Sequence, residues 1–340
     1  MNAPLVTVLI TTYNYGSFIE EAIESVLSQD FPPDQMEVLV VDDGSTDDTA
    51  VRVKRYERVH YFYKPNGGQA SAFNFGFARA RGELIALLDA DDYWLPGKLQ
   101  RIVDEFQKDP QLGMVYHPFL EIDMATNTQT RSKTFIAISG SLFENPKDFF
   151  WYHPPGTSAS FRRIALERTL PIPEGLRVQA DGYICSLIIF VAPIRAIPEF
   201  LATYRFHDDN LYHADDETIS HVKLRNRLEL RRLLIEGMRK WLAANGFTTR
   251  QPAVRSFLDR WKLYQQSDEF KLEAPGRLGF FFHQLQYNRC YGPYLSRRIR
   301  AINYLNAVAS FVTGYKHFPL LEKWRLRTSA IIRRVGTRSP

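Results

Sequence analysis

Cysteine is scarce: the 340 residues contain two, Cys185 and Cys290. Two isolated thiols supply neither a disulfide framework nor the spacing of a metal site, and such sparing use suits a reducing compartment. Long apolar runs are missing too. The longest, Tyr183 to Ile194, is too short to cross a bilayer. No basic stretch followed by an apolar run stands at the N-terminus, so no secretory signal is expected. No G-x-G-x-x-G follows the first apolar run and no Gly-Lys-Ser/Thr is present, which leaves no basis for a dinucleotide fingerprint or a P-loop. There is no internal repeat, heptad series or low-complexity tract.

What is present is ordinary in bulk and uneven in arrangement. Hydrophobic content of 45% with 24% charged residues describes a folded soluble chain, long enough for a main domain and an appendage. The net charge of +5 conceals an asymmetry. Residues 1–215 carry roughly ten more acids than bases, and residues 216–340 roughly fifteen more bases than acids. The acidic part suits a metal-dependent site. The basic part suits a membrane surface, an anionic substrate or a protein partner; nucleic acid is not an expected partner.

Along the first part, apolar runs alternate with helical patterns. Val6–Ile10 reads as a buried strand ending at Thr11-Thr-Tyr-Asn14, and Ser17-Phe-Ile-Glu20 has the spacing of a capping box. Ile19, Ala22, Ile23, Val26 and Leu27 then mark one face of a helix, closed by Pro32-Pro33. Glu37–Val41 and Val59–Tyr63 read as further strands, a helix is predicted over about 70–81, and Glu83–Leu88 reads as the next strand. Strands this uniformly apolar, alternating with helices, predict an α/β fold whose mostly parallel sheet is covered on both faces. Polar clusters fall at the carboxyl ends of the strands, where open α/β sheets bind ligands. Met114–His117 reads as a strand, 123–132 as a polar turn, 181–191 as a helix opened by Asp181, and 201–207 as a final strand. Beyond about residue 215 the chain reads as helical, with Leu224, Leu228, Arg231 and Leu234-Ile235 on one face and Leu305, Val308 and Val312 on another. Basic residues beside apolar ones there fit either an interfacial membrane helix or a solvated face.

Leu87-Leu-Asp-Ala-Asp-Asp92, followed by Tyr93-Trp-Leu-Pro-Gly-Lys98, puts three carboxylates within four positions at a strand end. Like charges this close repel and raise one another's pKa, and a hard divalent cation relieves them. A solvated acidic turn with an Asp helix cap is the competing reading.

Together with Val6–Asn14, Val40-Val-Asp-Asp-Gly-Ser-Thr-Asp47, Asn66-Gly-Gly-Gln69, Asn74-Phe-Gly76, Thr157–Arg163, Asp181-Gly-Tyr183 and Tyr204-Arg-Phe-His207, this stretch resembles the family 2 glycosyltransferases of GT-A fold. The likeness covers roughly the first 210 residues, and the combination of motifs carries it. It implies a nucleotide-sugar-binding catalytic domain at 1–215 and leaves 216–340 as a basic helical region for acceptor, membrane-surface or homodimer contacts. It also implies an inverting transfer from a nucleoside diphosphate sugar, UDP-sugars favoured, to the hydroxyl of a saccharide or lipid-linked acceptor, with Mn²⁺ or Mg²⁺ as cofactor. Cell-surface polysaccharide or glycolipid assembly, in the cytoplasm either free or peripheral at the inner face of the cell membrane, is the biology implied.

The same resemblance assigns residues. Asp91 is the direct metal ligand, with His207 completing the metal site, touching the diphosphate or serving structure. Asp89 and Ala90 lie along the nucleotide sugar, and Asp92 shares either job or is structural. Thr11 and Tyr13 face the base, Asp43 accepts its ring N–H, and Gln69 is a polar nucleotide contact. Asp181 is the general base, although Ala180 stands where the family more often has Glu, or it caps its helix. Arg205 pairs with phosphate oxygens, and Trp151, Tyr152 and His153 line the acceptor pocket or the core. Phe73 replaces a frequent arginine. The rival readings are a non-catalytic nucleotide-sugar-binding or scaffold protein of this fold and, further off, a nucleotidyltransferase.

Overall fold

A computed structural model describes residues 3–132, 135–146, 149, 156–207, 221–273, 277–291, 300–301, 304–305 and 307–308. The predicted acceptor residues Trp151, Tyr152 and His153 lie outside these. The chain divides into two compact units, Met1–Asp216 and Glu217–Pro340.

In the first unit, β1 (Val6–Thr12) feeds α1 (Gly16–Leu27), whose Ile19, Ala22, Ile23 and Val26 are buried on the sheet. The expected capping box does not form. Helix α1 has no side-chain cap, and its first N–H, from Gly16, goes instead to Asp47 Oδ2 (2.9 Å) in the loop after the next strand. That strand, β2 (Met36–Asp42), is buried at every position and leads through α2 (Thr49–Val53) to β3 (Val59–Tyr63). Helix α3 (Gln69–Phe77) ends four residues earlier than its sequence pattern suggests, because the Arg81 N–H is taken by Glu37 Oε1 (2.6 Å) rather than by the helix. Then come β4 (Leu84–Asp89), α4 (Lys98–Lys108), begun at Gly97 in the left-handed region rather than at an Asp, and β5 (Met114–Tyr116).

The expected polar turn at 123–132 is part of an antiparallel hairpin of β6 (Phe119–Asp123) and β7 (Thr128–Arg131). Its outer strand is exposed throughout, so no apolar alternation marks it. Thereafter run β8 (Ser160–Arg162), α5 (Arg163–Glu167), α6 (Ala180–Ile188), β9 (Ile194–Ala196) and β10 (Ala202–Phe206).

The main sheet has the order β3-β2-β1-β4-β8-β5-β9. Strands β1 to β4 are parallel, and β8 is antiparallel to both its neighbours. A smaller sheet, β10-β6-β7, carries the return of the chain. Register fixes the site: Thr11 pairs with Asp89 and Thr12 with Asp42, so three polar loops leave the sheet at one edge. The layer beneath is wholly apolar, with Val8, Ile10, Val38, Val40, Ala86 and Leu88 each at most 3% exposed. Truncating one of its large residues to Ala would cost about 2–5 kcal/mol, as a cavity in a close-packed core does.

The second unit contains α7 (His221–Ala244), α8 (Pro252–Glu273) and α9 (Arg277–Tyr291). Leu224, Leu228, Leu234 and Ile235 of α7 are buried. Arg227 and Arg231 of α7 both reach the buried Asp268 of α8, at 2.8 and 2.7 Å. No helix among the described residues is long and apolar enough to cross a membrane.

Candidate active site

At the end of β4, Asp89, Asp91 and Asp92 each place a carboxylate oxygen within 4.8 Å of the others. Asp89 is the last residue of the strand and is half-buried, while Asp91 and Asp92 are buried. Ala90, between them, is 1% exposed and packs into the core, so it can meet a ligand only through its main chain.

Strand β10 holds this turn in place. The Arg205 N–H donates to Asp92 Oδ1 (2.8 Å), its Nε–H to the Asp91 carbonyl, and its Nη1–H to Glu21 of α1. The guanidinium lies over Phe18 and Tyr93, 4.9 and 5.3 Å from their ring centroids. Two residues on, His207 Nε2 stands 3.1 Å from Asp91 Oδ2 while its ring stacks on Phe18 at 4.8 Å. Arg205 is thus engaged within the protein as a strut between the acidic turn and α1, a departure from the expected phosphate contact.

Electrostatics behind the turn are uneven. Burial, and then the charge of Asp91, push the Asp92 carboxyl well above the usual carboxylate range, against the stabilising Arg205 N–H. Lys98 is fully buried, with its Nζ 4.2 Å from the Trp94 ring centroid; burial pulls its pKa well down, and Asp92 opposes this. The buried His117 is likewise held neutral, by burial first and Lys98 second.

The loops after β1 and β2 are stitched together. Asn14 Oδ1 accepts the Thr46 N–H (2.8 Å), and the Asn14 N–H donates to Ser45 Oγ (2.8 Å). Thr11 and the half-exposed Tyr13 (47%) flank this edge. Asp42 is a turn residue, accepting the Ser45 N–H (2.7 Å) and the Tyr61 hydroxyl (2.6 Å). Asp43 is the one that faces the next loop, accepting Lys64 Nζ (2.6 Å), the Gly67 N–H (3.0 Å) and the Gly68 N–H (2.7 Å). Gly68 has φ +85°, and a Cβ there would lie 2.6 Å from the Arg177 Cα, so the loop needs glycine at this position.

Gln69 uses its side-chain oxygen within the protein. Its Oε1 accepts the N–H of Ala180 (2.9 Å), the first residue of α6. The Gln69 and Ala70 N–H groups donate to the carbonyls of Arg177 and Leu176, so the start of α3 is already satisfied by protein. Phe73 is buried and stacks on Phe77 at 5.5 Å, filling core where an arginine would need solvent or an anion.

Asp181 is the second residue of α6, not its cap, which is Gln179 in the left-handed region. Burial raises its pKa; the N–H groups of Gly182 and of Asp181 itself counter this in part. Gly156 closes one side, where a Cβ would come within 3.0 Å of Asp181 Oδ2. Tyr204 connects the two acidic regions. Its phenol pKa is pushed up by burial and then by the charges of Asp92, Asp89, Asp91 and Asp181, so all four carboxylates act on one side chain. Glu21 was not legible as a site residue, being one of several charges on a helix face, and Tyr204, although it opens the Tyr204-Arg-Phe-His207 motif, carried no assigned role.

Three carboxylates with a neighbouring imidazole make a hard, mainly oxygen donor set that fits Mg²⁺ or Mn²⁺.

Comparison with known proteins agrees with this architecture. Residues 7–170 match the sequence family described as glycosyl transferase family 2. An uncharacterised glycosyltransferase of Nostoc sp. is 32% identical over 279 residues, 78% of this chain and 84% of that protein. A shorter match, 38% over 117 residues, links 33% of the chain to 12% of the chondroitin synthase of Pasteurella multocida. Among solved structures, S. aureus TarS (residues 1–349) in complex with UDP superposes with a TM-score of 0.57 at 18% identity, covering 91% of each chain. The mannosyltransferase PcManGT of Pyrobaculum calidifontis, in complex with GDP-Man and Mn²⁺, gives 0.54 at 20% identity over all of this chain and 89% of that one. Such structural likeness speaks for a shared GT-A fold, and the Nostoc relative for kinship along most of the length. The chain belongs to the family 2 glycosyltransferases.

Proposed function

We propose that this enzyme transfers a sugar, with inversion, from a nucleoside diphosphate sugar to an acceptor hydroxyl, and that the transfer depends on a divalent cation. The observation that carries the reading is the acidic triplet at the end of β4, gathered within 4.8 Å and braced by Arg205 and His207. Asp91, with Asp89 and His207 beside it, would hold the cation. Bound there, the cation would neutralise the charge that grows on the leaving diphosphate.

The chain's own groups supply the rest. The base of the donor lies over Thr11 and Tyr13, and the remaining acceptor capacity of Asp43 takes a ring N–H of that base. Uracil suits such an acceptor, as would thymine or guanine, and a UDP-sugar is the favoured donor. Asp181 takes the proton as the acceptor oxygen attacks the anomeric carbon and the bond to the diphosphate breaks. Its burial suits this work, because a raised carboxylate pKa makes a stronger base at neutral pH. One displacement with no covalent intermediate inverts the anomeric centre. The acceptor is a saccharide or a lipid-linked saccharide, and the product belongs to cell-surface polysaccharide or glycolipid assembly.

Calorimetric titration with UDP, GDP and dTDP, each with and without Mn²⁺, tests the donor site. Metal-dependent binding of one of them, lost in Asp91→Ala, is the expected result and names the nucleotide. No binding of any would sink the assignment. Nucleotide binding with neither transfer nor donor hydrolysis across a sugar panel would favour the non-catalytic alternative.

A further inference from the structure

We infer that the described helical residues of 277–291 and 300–308 form a surface that seats the enzyme on an anionic lipid bilayer. In this short stretch five large apolar side chains are exposed: Leu278, Phe282, Tyr304, Leu305 and Val308, each between 45% and 68%. The whole first unit exposes six comparable ones among its described residues, scattered over different elements. Here they are aligned. Leu278, Phe282 and the half-buried Leu285 fall at i, i+4 and i+7 on α9, with the exposed Arg289 continuing the stripe. The described residues between 300 and 308 are helical, and Ala301, Tyr304, Leu305 and Val308 lie outward at i, i+3, i+4 and i+7 while Ala307 is buried. Leu305 and Val308, which periodicity marks as one helical face, are thus turned outward.

Charge decides what covers these stripes. The unit that carries them has roughly fifteen more bases than acids. A second copy would bring two such surfaces together at a like-charge cost, whereas anionic headgroups neutralise them. Apolar stripes edged by arginine are the pattern of helices that lie in a bilayer interface, where arginine stems bury along the apolar side and keep their charge at the headgroups. No described helix is long and apolar enough to span the bilayer, so the attachment is peripheral.

The surface is independent of the donor site, and the experiment keeps them apart. The full chain is sedimented with vesicles of phosphatidylcholine alone and of phosphatidylcholine with phosphatidylglycerol, at low and high salt. Sedimentation with the anionic vesicles only, weakened by salt, is expected. The Leu278→Asp/Phe282→Asp/Leu305→Asp variant changes only exposed positions and should bind the same vesicles about tenfold less, as loss of the buried apolar area requires. Its helical circular dichroism and its nucleotide titration should match the parent's. An unchanged bound fraction in the variant, or no sedimentation of the parent with anionic vesicles, overturns the inference. A parent that is dimeric in sedimentation velocity and a variant that is monomeric, neither binding vesicles, would assign the stripes to self-association instead.

Discussion

The acidic triplet and Asp181 both contain a carboxyl whose pKa burial raises, and they differ in the partners around them. Around the triplet the protein supplies a cation and donors: the guanidinium and N–H of Arg205, with the imidazole of His207 beside them. Around Asp181 it supplies little beyond enclosure and two local N–H groups. A cation site must keep several negative charges close together, so it needs a brace. A proton acceptor must hold its charge reluctantly, so it needs burial and few partners. These different surroundings suit the two roles proposed for the two positions.

The sharpest way to break this contrast is to remove the charge at Asp181 and leave the triplet intact. Asp181→Asn should lower kcat by about 10²–10⁴-fold, the usual contribution of a general base, while metal-dependent nucleotide affinity stays as in the parent. Transfer at the parent rate would remove Asp181 from the chemistry. The complementary change acts on the brace. Glu21→Ala frees one arm of Arg205, and metal affinity should fall about 10-fold or more, as loss of a group orienting metal ligands commonly causes. The pH dependence of kcat at saturating metal should not move. A shift in that profile would mean that the two sites are not separate.

Gln69 offers a smaller test, because its side-chain oxygen holds the start of α6. Its side chain ties the N-terminus of α6 to the loop whose glycines hold Asp43. Gln69→Leu removes the acceptor for the Ala180 N–H and should lower kcat about 10-fold through misplacement of Asp181. KM for the donor should hardly change. Gln69→Glu keeps an acceptor oxygen and should restore most of the rate. A rise in donor KM without loss of kcat would return Gln69 to the nucleotide contact that its motif suggests.

Much of this was legible in the chain. Apolar strand patterns place β1, β2, β3 and β4, and the acids at their ends mark the edge where the candidate site gathers. What sequence could not give was partnership across distance. Arg205 meets Glu21, 184 positions away, and Gln69 meets Ala180, 111 away; nothing local in either segment signals the pairing. The hairpin of β6 and β7 was hidden for another reason. Its outer strand has no buried face, so its residues need not alternate. In the second unit, periodicity marked a face at Leu305 and Val308 without saying which side was turned outward.

The smallest expected effect concerns stability, and its sign follows from burial. Folding raises the pKa of Asp181, so the folded chain binds a proton there more readily than the unfolded chain. Linkage then makes the charged carboxylate a cost to the folded state above its folded pKa. That cost shrinks as pH falls through the folded value and is absent below the unfolded one. Asp181→Asn removes the charge with little change of shape, so the variant should melt above the parent at neutral pH. The difference should close as the solution is acidified, because the parent becomes neutral at this position as well. The triplet's own titration is common to both proteins and cancels in the comparison. A variant that melts below the parent at neutral pH would show that Asp181 is held by partners after all, as the triplet is, and the contrast between the two sites would lose its physical basis.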